Sequence, residues 1–144
     1  KVEDEPKVIE YNVRMGDPET EAILPRIKND FGDILKSLVN NKLKFVKMEF
    51  FNYSTATVVS VSKGYPGEYE KGKEIKGFEN TQESILFHCG TIKESQKVFT
   101  NGGRVLAVTS FGKNFKQALL KSYSSLNNIK YQGIYYRRDI GFDL

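Results

Sequence analysis

The apolar residues of this chain change their period near residue 48, and that change limits what the chain can fold into. Before it, Phe31, Ile34, Leu35, Leu38 and Val39 recur at three-to-four spacing, the stripe of an amphipathic helix. Asp30 is placed to cap that helix, which is expected to reach about Asn40. After it, residues 55–62 form a run of β-branched and small side chains that reads as a strand. Further strands are expected at 84–88, 97–100 and 104–110. Asn101-Gly102-Gly103 reads as the tight reversal of a hairpin joining the last two. Gly64-Tyr65-Pro66-Gly67 reads as a type II turn centred on Pro66 and Gly67. Asn114 can cap a second helix on which Phe115, Ala118, Leu119, Tyr123 and Leu126 share one face. The expected class is α+β, with a strand-and-helix segment over residues 1–48 and a compact β-rich unit carrying one helix over 49–144.

Composition narrows the setting. The chain is 39% hydrophobic and 28% charged, as in soluble globular proteins. No apolar run approaches the roughly 20 residues of a membrane-spanning helix. Residues 1–6 have neither the basic head nor the apolar core of a signal peptide, and Cys89 is the single cysteine. A reducing, cytoplasmic setting with no membrane partner is therefore expected. The net charge of +4 is uneven: between Glu94 and Asp139 there are eight bases and no acid. Such a segment can attract an anion or nucleic acid. Its bases are spread over expected strands, a helix and loops, however, so a solvated surface is expected and no nucleic-acid partner.

Residues 10–20, EYNVRMGDPET, concentrate the polar chemistry. Residues 7–14 read as a strand, which places Glu10, Asn12 and Arg14 on one face. A carboxylate, a carboxamide and a guanidinium together make a poor core surface. They suit either a solvated face with a local ion pair or a polyanion site, since Glu and Asn offer oxygens to Mg²⁺ and Arg forks onto phosphate or carboxylate. A lone strand cannot satisfy its backbone, so neighbouring strands are expected beside it. Gly16-Asp17-Pro18 is a turn, and residues 19–24 form a short helical piece that Pro25 interrupts.

These residues carry a resemblance. EYNVRMGDPET is similar to the signature of the phosphoribosylamine–glycine ligase (glycinamide ribonucleotide synthetase) family of purine biosynthesis, within the ATP-grasp group. The blocks SKGYPGEYEKGKEIKG (62–77), FHCGT (87–91), GGRVLAVTSFG (102–112) and RRDIG (137–141) follow in the family's order. The resemblance implies that the chain is the C-terminal third of such a ligase. Residues 1–48 would then end the ATP-grasp domain, and 49–144 would be a small barrel-like β domain of the rudiment single hybrid motif type. The family's N-terminal domain and most of its ATP-grasp domain would be missing partners.

The implied reaction joins glycine to 5-phosphoribosylamine with ATP hydrolysis through an acyl phosphate, chemistry that is mostly positioning and charge neutralisation. Its cofactors would be ATP and Mg²⁺ or Mn²⁺. Glu10 and Asn12 are the implied metal ligands, and Arg14 the implied catalytic residue that orients the carboxylate or acyl phosphate. Asp17 would receive a substrate amine. Glu19 could bind substrate or cap the following helix. Tyr65 and Lys71 could close the substrate site, although Gly-Tyr-Pro-Gly also suits a plain turn with a packed ring. His88 and Cys89 read as rim and packing residues, and Gly102-Gly103 is not a phosphate loop because it joins strands. Alone, the chain is expected to be inactive. The alternatives are another ATP-grasp carboxylate–amine ligase, or a non-catalytic binding module using the basic 95–138 segment.

Overall fold

A computed structural model of the chain describes residues 5–8, 11–81 and 83–144. Helix α1 (Glu19–Ile23) runs into a single 3-10 turn, Leu24–Arg26, that contains Pro25. Helix α2 (Phe31–Val39) begins where Asp30 accepts the Asp33 amide at 3.0 Å, and Asn40 terminates it. Its cap and length match expectation. Its apolar stripe, however, is uncovered: Phe31, Leu35, Leu38 and Val39 are all exposed. The periodicity correctly indicates a helix with a sticky face, and the β-rich unit does not supply the surface that face needs.

The β-rich unit holds two sheets. One has the order β3 (Ser84–His88), β6 (Arg104–Gly112), β1 (Ser54–Ser62), β7 (Ile134–Tyr135). The other has the order β2 (Glu74–Ile75), β5 (Lys97–Thr100), β4 (Thr91–Glu94). They remain two separate sheets and do not close into one barrel among the described residues. Helix α3 (Phe115–Asn128) packs on the first sheet, capped as expected by Asn114, which accepts the Gln117 amide at 2.9 Å.

Strand β6 is the centre of the core. It lies between β1 and β3 with α3 across it, and residues 105–110 are buried without interruption. Val58, Leu106, Val108, Leu126 and Ile129 form the apolar cluster around it. Each such side chain contributes roughly 1.5–3 kcal/mol when fully buried. The polar members of β6 are satisfied: Thr109 pairs with the Thr57 hydroxyl at 2.7 Å, and Ser110 lies 2.7 Å from Ser84 and 2.9 Å from Ser122.

Three local expectations need correcting. The described residues of 7–14 do not form a strand; no strand lies beside them among the described residues, and an unpaired strand leaves its amides and carbonyls unsatisfied. The expected hairpin between 97–100 and 104–110 does not form. Strand β5 pairs with β2 and β4, and Gly102-Gly103 carries the chain from one sheet to the other. At that crossing the backbones of Gly90 and Gly102 touch, where a Cβ on Gly102 would lie 2.9 Å from Gly90 Cα. Finally, the left-handed residue of the Gly-Tyr-Pro-Gly segment is Gly64, at φ +98°, and not Gly67 as a type II turn requires. A side chain at Gly64 would also meet the Glu68 carbonyl at 2.1 Å.

Candidate functional site

The signature turn is built from its own short-range bonds. Gly16 is buried, and its amide donates to Glu19 Oε1 at 2.7 Å. Its carbonyl accepts both the Thr20 amide at 3.0 Å and the Thr20 hydroxyl at 2.6 Å. Glu19 therefore closes the turn that opens α1, an N-terminal placement that also suits the helix dipole. Just upstream, Arg14 Nη1 donates to Asn12 Oδ1 at 2.9 Å and to the Met15 carbonyl at 3.0 Å. Asn12 and Arg14 are thus brought together and both are exposed. Glu10 lies outside the described residues.

Asp17 is held from the β-rich unit. Arg104, the first residue of β6, donates to the Asp17 carbonyl at 3.2 Å, and its other terminal nitrogen lies 3.4 Å from Asp17 Oδ2. Tyr65 belongs to the same neighbourhood: its ring covers Gly103, where an added Cβ would fall 2.0 Å from Tyr65 Cδ2. Tyr65, Gly103, Arg104 and Asp17 are thereby linked in a continuous chain of contacts. Lys71 is exposed in the following loop, and the structure gives it no contact with that chain. Sequence reasoning missed Arg104. It stood among eight bases of a basic segment, and its only distinguishing signal was its place directly after Gly102-Gly103.

The segment joining signature and β-rich unit is tied down throughout. Thr109 donates to the Glu21 carbonyl at 3.1 Å, Thr55 to Ala22 at 2.7 Å, and Tyr53 to Pro25 at 2.8 Å. One carboxylate oxygen in this region, Glu21 Oε2, is buried without a hydrogen-bond partner.

Cys89 lies close enough for the charges of this region to act on it. Burial of its thiol, reinforced by the Asp17 and Glu21 carboxylates, pushes it above the ordinary thiol range. A thiol held protonated is a poor nucleophile, but Cys89 is an exposed residue, so the packing role expected of it is not found. His88 is exposed and its Nδ1 lies 2.9 Å from the Thr91 hydroxyl, as expected for a rim residue. Several bases of the 95–138 segment are paired with acids: Lys97 with Glu74, Lys121 with Glu83, Arg137 with Asp139. Lys97 lies on β5, Lys121 on α3 and Arg137 after β7.

The donor set also tests the implied metal. Among the described residues no group of three or more His, Cys, Asp or Glu side chains could hold a cation. Asn12 offers a neutral oxygen of the kind a hard cation takes, but one amide oxygen does not make a site.

Residues 55–143 match the family described as phosphoribosylglycinamide synthetase, C domain. The chain belongs to this family. The synthetase C domain therefore accounts for the β-rich unit and α3. The match to whole proteins extends further upstream. The chain is 45% identical over 135 residues to a phosphoribosylamine–glycine ligase of Caldanaerobacter subterraneus subsp. tengcongensis, covering 94% of this chain and 32% of that protein. It is 45% identical over 140 residues to the human trifunctional purine biosynthetic protein adenosine-3, covering 95% of this chain and 14% of that one. The crystal structure of a phosphoribosylamine–glycine ligase from Thermotoga maritima superposes with a TM-score of 0.73 at 35% identity, over 95% of this chain and 34% of that one. The chain thus spans about a third of the length of the single-function ligases it matches. No helix among the described residues is long and apolar enough to cross a membrane.

Proposed function

We propose that the chain is the C-terminal third of an ATP-dependent ligase that joins glycine to 5-phosphoribosylamine in purine biosynthesis, and that it is inactive alone. One observation carries this reading: 45% identity across almost the whole chain to a ligase of that name three times as long, of which the chain covers 32%. In this reading residues 1–48 end the ATP-grasp domain and 49–144 form the family's C-terminal domain of the rudiment single hybrid motif type. The working protein is cytoplasmic.

The residues divide the work by charge. Glycine is a zwitterion, so Arg14 would take its carboxylate and Asp17 its ammonium, a guanidinium fork and an acceptor-only group respectively. Glu19 sets the turn that presents Asp17. Tyr65 braces Gly103 and so Arg104, and Tyr65 and Lys71 would close the substrate site. Glu10 and Asn12 would ligate Mg²⁺ or Mn²⁺ together with groups from the rest of the ligase. ATP and its metal, when bound, supply the phosphoryl group that activates the carboxylate. What these residues contribute is orientation of two reacting groups, which is where such a reaction gains most.

The test is formation of glycinamide ribonucleotide from ATP, glycine and 5-phosphoribosylamine. The chain alone is expected to give none, and the complete ligase carrying these residues is expected to give product. Product from the isolated chain would overturn the claim that the other domains are needed. Turnover of a different carboxylate–amine pair by the complete ligase, with none for this pair, would favour another ATP-grasp ligase.

A further inference from the structure

We propose that Arg104 is a positioning residue, holding the signature turn from the β-rich unit so that Asp17 meets its substrate in one geometry. This rests on the ligase reading above. The guanidinium crosses 87 positions of sequence to reach both the carbonyl of Asp17, at 3.2 Å, and its carboxylate, at 3.4 Å. Contact with the carboxylate alone would leave the turn free to rotate about the side chain. Gripping backbone and side chain of one residue with one planar fork fixes both.

Each end of the contact is stiff. On one side, the Ser62 amide donates to the Gly103 carbonyl at 2.8 Å and the Ser62 hydroxyl to the Gly102 carbonyl at 3.0 Å. The Tyr65 ring covers Gly103, and the residues after Arg104 enter the buried strand β6. On the other side, Glu19 and Thr20 close the turn on Gly16. Arg104 is therefore a strut between two rigid pieces. Its side chain and that of Asp17 are 41% and 42% exposed, a setting in which an ion pair adds little to stability. Its use is geometric.

In the complete ligase, Arg104→Gln is expected to raise the KM for glycine about fivefold while kcat and the KM for ATP stay within about twofold. Arg104→Lys, which keeps the charge and loses the fork, is expected to recover part of that loss. In the 144-residue chain, Arg104→Gln is expected to speed exchange of the Thr20 amide, which closes the turn on Gly16, by a similar factor while the amides of β6 are unchanged. Unchanged glycine KM in an active ligase overturns the proposal, as does unchanged Thr20 exchange. A KM shift without faster exchange also overturns it, because Arg104 would then touch substrate directly. If the complete ligase makes no product at all, the ligase reading fails and the exchange measurement decides Arg104 by itself.

Discussion

Gly103 has no room for a side chain. A Cβ there would fall 2.0 Å from the Tyr65 ring, so the ring must shift to admit it. Gly103→Ala is therefore expected to cost about 1–3 kcal/mol, the range for forced overpacking, read as a lower urea midpoint with unchanged m-value. A second residue reports through pH. Burial pushes the Tyr131 phenol up to about 12, partly offset by the nearby Ser60 hydroxyl, and its hydroxyl donates to the Val61 carbonyl at 3.1 Å. A folded-state value above the unfolded one means that the native state holds the proton more tightly. The contribution is complete below about pH 10 and is lost as pH rises toward 12, with an upper bound of about 2–3 kcal/mol. Stability measured against pH should fall through that window in the wild type and fall less in Tyr131→Phe. Gly103 was legible only as part of a turn and Tyr131 not at all, because a glycine before an arginine and a tyrosine in a C-terminal loop look the same whether covered or not.

Helix ends were legible and sheet partners were not. Asp30 and Asn114 were readable as caps because an N-cap needs only the next three residues to form its bond, and both bonds are present. Asn114→Ala should accordingly cost about 1 kcal/mol, measurable as a drop in urea midpoint without change in far-UV helicity below the transition. The hairpin reading of Asn101-Gly102-Gly103 failed for the opposite reason. Two adjacent strands and a glycine pair fit a reversal locally, but β5 finds its partners in β2, which precedes it by more than twenty residues, and in β4. Strand β4 itself escaped notice, since Thr91–Glu94 carries only one apolar residue and three of its four positions are exposed. The serines of α3 were overlooked as well. Ser122 donates to the Ala56 carbonyl at 2.8 Å and Ser125 lies 2.6 Å from Ser84, so small polar side chains let the helix approach the sheet where an apolar stripe was expected. In the candidate site, the family signature was visible as a string of residues. The guanidinium that holds it was not, because the 87 positions between Arg104 and Asp17 hide their contact.

The whole molecule is well packed at one end and uncovered at the other. Around β6 the core is closed, whereas Leu35, Leu38, Phe45 and Phe50 are 47%, 53%, 74% and 49% exposed over a span of some fifteen residues. Exposed apolar groups this dense mark a surface that another body covers. The ligases matched by this chain are three times its length, so under the proposed function that body is the remainder of the ligase and the face of α2 is its seat. Substituting the face should then separate folding from docking. Leu35→Lys with Leu38→Lys is expected to leave the urea midpoint of the isolated chain within about 0.5 kcal/mol, because neither side chain is buried in it. The same pair placed against an apolar partner leaves two ammonium groups to desolvate without counter-charges, at a cost of several kcal/mol. Mixed with the remaining two-thirds of the ligase as a separate polypeptide, the wild-type chain should co-migrate with it in size-exclusion chromatography and restore product formation. The double variant should fold equally well and do neither. A variant that still docks would assign the interface elsewhere, and one that unfolds alone would show that α2 already packs on its own unit.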